Sequence, residues 1–171
     1  VWLVQIKIWF AMIIGISGYV GNRLTGIGRV LINILSELAK QYPEDKYVLF
    51  RNFDFKEYDN LTQYQNIEIV DVPYTKESGL KNILWHQWLF QKLLKKYKCD
   101  IAYIPNFTLL LWKTIPTIVT IHDLIEYNVP DKFSKARMFY RKQVCDPLMA
   151  KKSNHILTVS KSSYKDIISY L

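Results

Sequence analysis

The chain has 171 residues, half of them hydrophobic and 15% aromatic, which excludes a disordered protein and suffices for one domain with its own core. Its two cysteines, Cys99 and Cys145, lie far apart with neither metal-ligand nor Cys-x-x-Cys spacing, and they read as buried or incidental thiols of a reducing compartment, with nothing to support a disulfide. The net charge of +8 is uneven, with +5 over residues 76–98 and +6 over residues 132–152, leaving −3 elsewhere; such stretches suit an anionic partner or are simply solvated helix faces.

Residues 1–11 are apolar but interrupted by Gln5 and Lys7. They are short for a membrane span and lack the charged start and cleavage site of a signal peptide. Met12 opens a good first strand, so 1–11 reads as an upstream extension; the alternation of Val4, Ile6, Ile8 and Phe10 leaves an added edge strand as the alternative. Ile13–Gly18 is the first strand, followed by a loop with glycines at 18, 21, 26 and 28. Ile27, Val30, Leu31, Ile34, Leu35 and Leu38 form a helical stripe to Gln41, stopped by Pro43. A short strand at 47–50 precedes a polar, aromatic loop over 51–66 with a short helix, and residues 67–72 form a strand stopped by Pro73. A long helix at 80–98 leads to a strand at 101–104 that ends at Pro105-Asn106. The run 116–121 is a buried strand ending in His122-Asp123, followed by a loop through Pro130, a helix over 134–152, a strand at 156–159 and a last helix from Ser160. That helix is still in register at Leu171 with no capping signal, which reads as a chain that continues.

Strands alternating with helices predict an α/β domain over residues 12–171, with an open parallel sheet and helices on both faces. Parallel strands point their carboxyl ends one way, and open sheets of this kind place ligands there. An ionisable pair such as His122-Asp123 at such an end is a candidate site; the plainer alternative is a polar strand end that bonds a loop. The glycine loop suits close approach of a phosphate to backbone N–H groups at a helix start, or else a flexible loop with a cap. A dinucleotide fingerprint is missing, since Gly26-x-Gly28 comes late, lacks its third glycine and is followed by no ribose-binding acid after Phe50, which argues against a dehydrogenase. There is no Asp-x-Asp, no zinc spacing, no Gly-x-Ser-x-Gly elbow and no P-loop lysine. Phosphate chemistry would then rest on helix termini and basic side chains, without a metal. No nucleic-acid-binding motif accompanies the basic charge.

A projection of helix 80–98 at 100° per residue puts Leu80, Ile83, Leu84, Phe90, Leu94 and Tyr97 on a sheet-facing side. The other side carries Trp85, Trp88 and Leu89 among Lys81, Lys92, Lys95 and Lys96, which suits an anionic membrane surface or a tryptophan patch under a neighbouring loop. His86 reads as a packing residue and His155 as a surface residue.

Thr25-Gly26-Ile27-Gly28-Arg29-Val30, Thr120-Ile121-His122-Asp123-Leu124-Ile125 and Ala150 through Ser163, in that order and on those strands, resemble glycosyltransferase family 4 over residues 12–171. The resemblance implies the Rossmann-like, acceptor-side N-terminal half of a GT-B enzyme, whose donor-binding C-terminal domain is absent here. It implies a metal-independent, retaining transfer of a sugar from a nucleotide-sugar to a glycan or lipid-linked acceptor, with no other cofactor. In such enzymes the glycine loop approaches the donor diphosphate, which carries over to Gly26, Ile27, Gly28 and Arg29; many members have two adjacent glycines where this chain has Thr25-Gly26, so the approach rests on Gly26. The histidine after the fifth strand reaches the donor sugar, which assigns His122 to catalysis with Asp123 orienting its loop. Asn106 and Ser160 fall on the acceptor side, Ser160 first as a helix cap. The implied setting is cytoplasmic, peripheral at the inner face of a membrane. A non-catalytic α/β module that docks on an anionic surface or partner is the alternative from a different class.

Overall fold

The computed structural model describes residues 11–19, 24–73, 78–106, 108–129 and 132–171. The expected extension, save Ala11, and Gly21 of the glycine loop lie outside these residues. The described elements are β1 (Ile13–Gly18), α1 (Gly26–Gln41), β2 (Lys46–Arg51), a 3-10 turn (Lys56–Leu61), β3 (Ile67–Asp71), α2 (Gly79–Leu84), a π turn (Trp85–Leu89) and α3 (Phe90–Lys96). They continue with β4 (Ile101–Ile104), β5 (Thr117–Thr120), α4 (Ile125–Asn128), α5 (Lys135–Phe139), a second π turn (Tyr140–Cys145), α6 (Asp146–Lys152), β6 (His155–Leu157) and α7 (Lys161–Tyr170).

The six strands form one sheet in the order β3-β2-β1-β4-β5-β6, with every pairing parallel. This is the α/β, Rossmann-like open sheet expected from the alternation of strands and helices. The period-2 geometry of a strand divides the interior into two cores. On β2, Tyr47 and Leu49 face one side with Leu31, Ile32, Leu35 and Ala39 of α1. Val48 and Phe50 face the other with Trp85, Phe90, Leu94 and Met149. Leu31 and Leu35, one turn apart on α1, are fully buried, and each stabilises the fold by about 2 kcal/mol. Gly15 is fixed by packing, because a Cβ there would collide with Leu94 and Cys99.

Several expected boundaries move. The strand expected at 156–159 occupies His155–Leu157, and a short helix, α4, stands in the loop after His122. The helix at 80–98 is broken in register. The N–H of Phe90 bonds the carbonyl of Trp85, five residues back, so one extra residue enters the turn. That rotates the preceding half by about 100° relative to a straight helix. Leu80 and Leu84 therefore emerge 67% and 43% exposed, whereas Trp85 is fully buried. Trp85 thus drops out of the expected membrane-facing surface; its indole N–H donates to the Ser17 hydroxyl at 3.0 Å. Trp88 stays 57% exposed, edge to face with Trp112, and Lys92, Lys95 and Lys96 are exposed.

On the α1 side an open apolar groove of about 320 Å³ runs past the helix, lined by Ile14, Ile16, Ile101, Tyr103, Ile118 and Leu157 among others. It holds none of the predicted site residues. Among the described residues no helix is long and apolar enough to cross a membrane.

Candidate functional site

The parallel register brings the carboxyl ends of β1, β4 and β5 to one edge, where Tyr19, Asn106 and His122 follow their strands. Two adjoining cavities open there. The smaller, about 140 Å³, is lined by Ile27, Thr120, Ile121, His122, Asp123, Arg141 and Met149. The larger, about 690 Å³, is lined by Ile27, Gly79, Asn82, Ile83, Asn106, Thr108, Leu109, Arg137, Tyr140 and Arg141. Ile27 and Arg141 border both.

His122 is half-buried. Its Nε2 lies 2.8 Å from the carbonyl oxygen of Pro105, which can only accept, so Nε2 carries the hydrogen and, in the neutral ring, Nδ1 is the acceptor. Its own carbonyl accepts from the Ser163 hydroxyl at 2.7 Å. The ring is thereby tied to the end of β4 and its backbone to α7. Asp123 is exposed, and its Oδ1 accepts the N–H of Ile125 at 3.3 Å, a bond that turns the chain into α4.

Asn106 is buried, and its amide donates to the Tyr19 carbonyl at 2.6 Å, joining the end of β4 to the loop after β1. Ser160 caps α7 by accepting the N–H of Ser163 at 3.0 Å and lines neither cavity. Of the described glycine-loop residues, only Ile27 lines the cavities. Gly26 opens α1 in free space, where an added Cβ would meet nothing within 4 Å. Thr25 before it is extended and makes no side-chain cap, and the first turn of α1 holds no acid to oppose its partial positive charge. Gly28 instead packs against Leu24, and Arg29 is exposed. The site thus gathers Ile27, Asn106, His122 and Asp123, and leaves Gly28, Arg29 and Ser160 outside it.

Sequence reasoning missed Arg137, Tyr140 and Arg141, which lie on a helix read only for its charge. The Nε of Arg141 pairs with Glu126 at 2.7 Å, and the Glu126 carboxylate is fully buried. Asp146 is buried beside them. Burial, and then the neighbouring Glu126 carboxylate, raise its affinity for a proton well above the ordinary carboxylate range. The one sequence signal was the spacing of Arg137 and Arg141, four residues apart on one helix face.

His86, expected to be a packing residue, is fully buried and bonded at both nitrogens. Nδ1 donates to the Asn82 carbonyl at 2.9 Å, and Nε2 accepts from the Ser17 hydroxyl at 2.9 Å. Burial pulls its pKa down to about 4, so the ring is neutral and ties β1 to the cavity wall. Cys99 and Cys145 are free and buried, and burial pushes their thiols up to about 11 and about 12.

The sequence profile of Glycosyltransferase Family 4 matches residues 24–171. No curated protein matches the chain. A crystal structure of a glycosyltransferase from Rickettsia africae ESF-5 is similar, with a TM-score of 0.57 at 14% identity, over 94% of this chain and 40% of that one. At that identity the likeness carries the fold alone, and this chain spans 40% of that protein's length.

Proposed function

Because this chain belongs to glycosyltransferase family 4, we propose that it forms the acceptor-side wall of a metal-independent, retaining glycosyltransferase. The reaction moves a sugar from a nucleotide diphosphate to a hydroxyl of a glycan or lipid-linked acceptor. The observation that carries the reading is the meeting of Ile27, Asn106, His122 and Arg141 around two adjoining cavities at the carboxyl edge of the sheet. With its Nε2–H engaged on Pro105, His122 has Nδ1 to accept a hydrogen bond from a sugar hydroxyl. Asp123 shapes the turn that holds it. Gly26 leaves the start of α1 open to close approach by the donor diphosphate.

The cleft has one wall in this chain, and a second α/β domain supplies the donor side in this reading. Its setting is the cytoplasm, at the inner face of a membrane, a reading supported by the exposed Trp88–Trp112 pair and the exposed Lys92, Lys95 and Lys96.

The test is a panel of nucleotide-sugars scored for sugar release, with this chain alone and with a protein joining it to a second α/β domain. Release by the two-domain protein only is the expected result, with His122→Ala lowering kcat more than it raises KM. Robust turnover by residues 1–171 alone overturns the half-cleft reading. No release by either protein overturns the transferase reading and returns the chain to an anion-docking module.

A further inference from the structure

The larger cavity has an electrostatic character that a neutral sugar does not call for. Its charged lining residues are Arg137 and Arg141, and no carboxylate lines it among the described residues. Both guanidinium groups lie over the ring of Phe133, at 4.1 and 5.4 Å from its centroid. The ring presents two cations to one space, where their mutual repulsion favours an anion between them. Arg141 is braced from below by Glu126, and Arg137 makes no ion pair among the described residues.

A directed neutral donor stands on the facing wall. The Thr108 hydroxyl donates to Asn82 Oδ1 at 2.7 Å, and His86 Nδ1 lies 3.1 Å from the same oxygen. With its oxygen accepting from Thr108, the Asn82 side chain is oriented with Nδ2 as its hydrogen-bond donor.

We propose that this cavity is a phosphate subsite, in which Arg137 and Arg141 bind the oxygens of a substrate mono- or diphosphate and Asn82 donates beside them. Planar guanidinium forks match phosphate oxygens in geometry as well as charge. The volume of about 690 Å³ leaves room for the group esterified to the phosphate. The proposal rests on the transferase reading only for the anion being a substrate.

The test titrates inorganic pyrophosphate into this chain, with calorimetry and the shift in Tm as readouts. Saturable binding is expected, weakened about tenfold or more by Arg137→Ala. Arg137 is exposed and its loss leaves the core intact. Arg141→Lys keeps a charge opposite Glu126 but removes the fork, and should weaken binding with the fold retained. Uridine diphosphate and geranyl diphosphate form the other arms. Tighter binding of the first assigns the phosphate to the donor, and of the second to a lipid-linked acceptor; equal binding of all three supports a site that reads phosphate alone. Absence of saturable pyrophosphate binding, or binding untouched by both substitutions, overturns the proposal. No sugar is transferred in this titration, so its failure leaves the transferase reading standing, and a failed donor screen leaves this site standing.

Discussion

The Ser163 hydroxyl in α7 donates to the main-chain carbonyl of His122 across 2.7 Å, so the last helix of the chain holds the end of β5. Ser163 is buried, and its own N–H is capped by Ser160. Ser160 and Ser163, three residues apart, therefore divide two tasks. Ser160→Ala should cost about 1 kcal/mol through the lost cap and leave His122 in place. Ser163→Ala should cost a similar amount and, in a two-domain protein, also lower kcat, because the backbone of His122 is released. Denaturant unfolding paired with kcat for both variants separates them; equal kcat in the two would remove Ser163 from the positioning of His122.

Gly26 offers a test in which stability and function move in opposite directions. An added Cβ meets nothing, so Gly26→Ala should leave stability unchanged or raise it by up to about 0.5 kcal/mol. If the bare backbone is there for the donor, the same variant should bind the donor more weakly. Tm and KM for the nucleotide-sugar are the measurements, and an unchanged KM would reduce Gly26 to a helix start like any other.

His86 should make the fold acid-sensitive. Its folded pKa is lowered from 6.5 to about 4, so the unfolded chain binds the extra proton first as pH falls. The stability it contributes is complete above about pH 6.5 and is lost as pH falls to about 4, up to roughly 3 kcal/mol at about 1.4 kcal/mol per pH unit. Unfolding free energies measured between these limits should fall with acid, and His86→Gln should flatten the slope. A wild-type curve with no slope in this window would mean that the ring is not held neutral.

Membrane association is to be tested on the surface as the structure has it. With Trp85 buried, the exposed tryptophans are Trp88 and Trp112, and Lys92, Lys95 and Lys96 are exposed on α3. Co-sedimentation with anionic vesicles should weaken with salt, fall with Trp88→Ala or with the three lysines changed to Glu, and be indifferent to surface changes at Leu80. Absence of binding at low salt would leave a soluble acceptor as the substrate of this wall.

The sheet was legible because each strand is a compact apolar run closed by a glycine, a proline or a polar residue, and parallel geometry then fixes which ends meet. His122 and Asn106 were legible for the same reason, standing directly after such runs. Arg137 and Arg141 were not, because an arginine four residues from another on a basic helix looks like solvated charge until Phe133 is seen beneath both. Trp85 misled because a projection at 100° per residue assumes an unbroken helix, and no single residue between Leu84 and Phe90 announces the wider turn. His86 reads as packing from its aromatic neighbours, while Ser17, which donates to its Nε2, is 69 residues away.

Both helices that wall the larger cavity carry the same device. Phe90 N–H bonds Trp85, and Asp146 N–H bonds Arg141, each across five residues. On one side of each turn stand side chains that line the cavity, such as Asn82 and Arg137; on the other stand core residues, such as Leu94 and Met149. A homologue one residue shorter at either turn would keep its core yet show the cavity a different set of side chains. Pairing such a sequence with this one needs a one-residue gap at the turn, and a gap set a few positions away would match Asn82 or Arg137 to a residue that does not line the cavity.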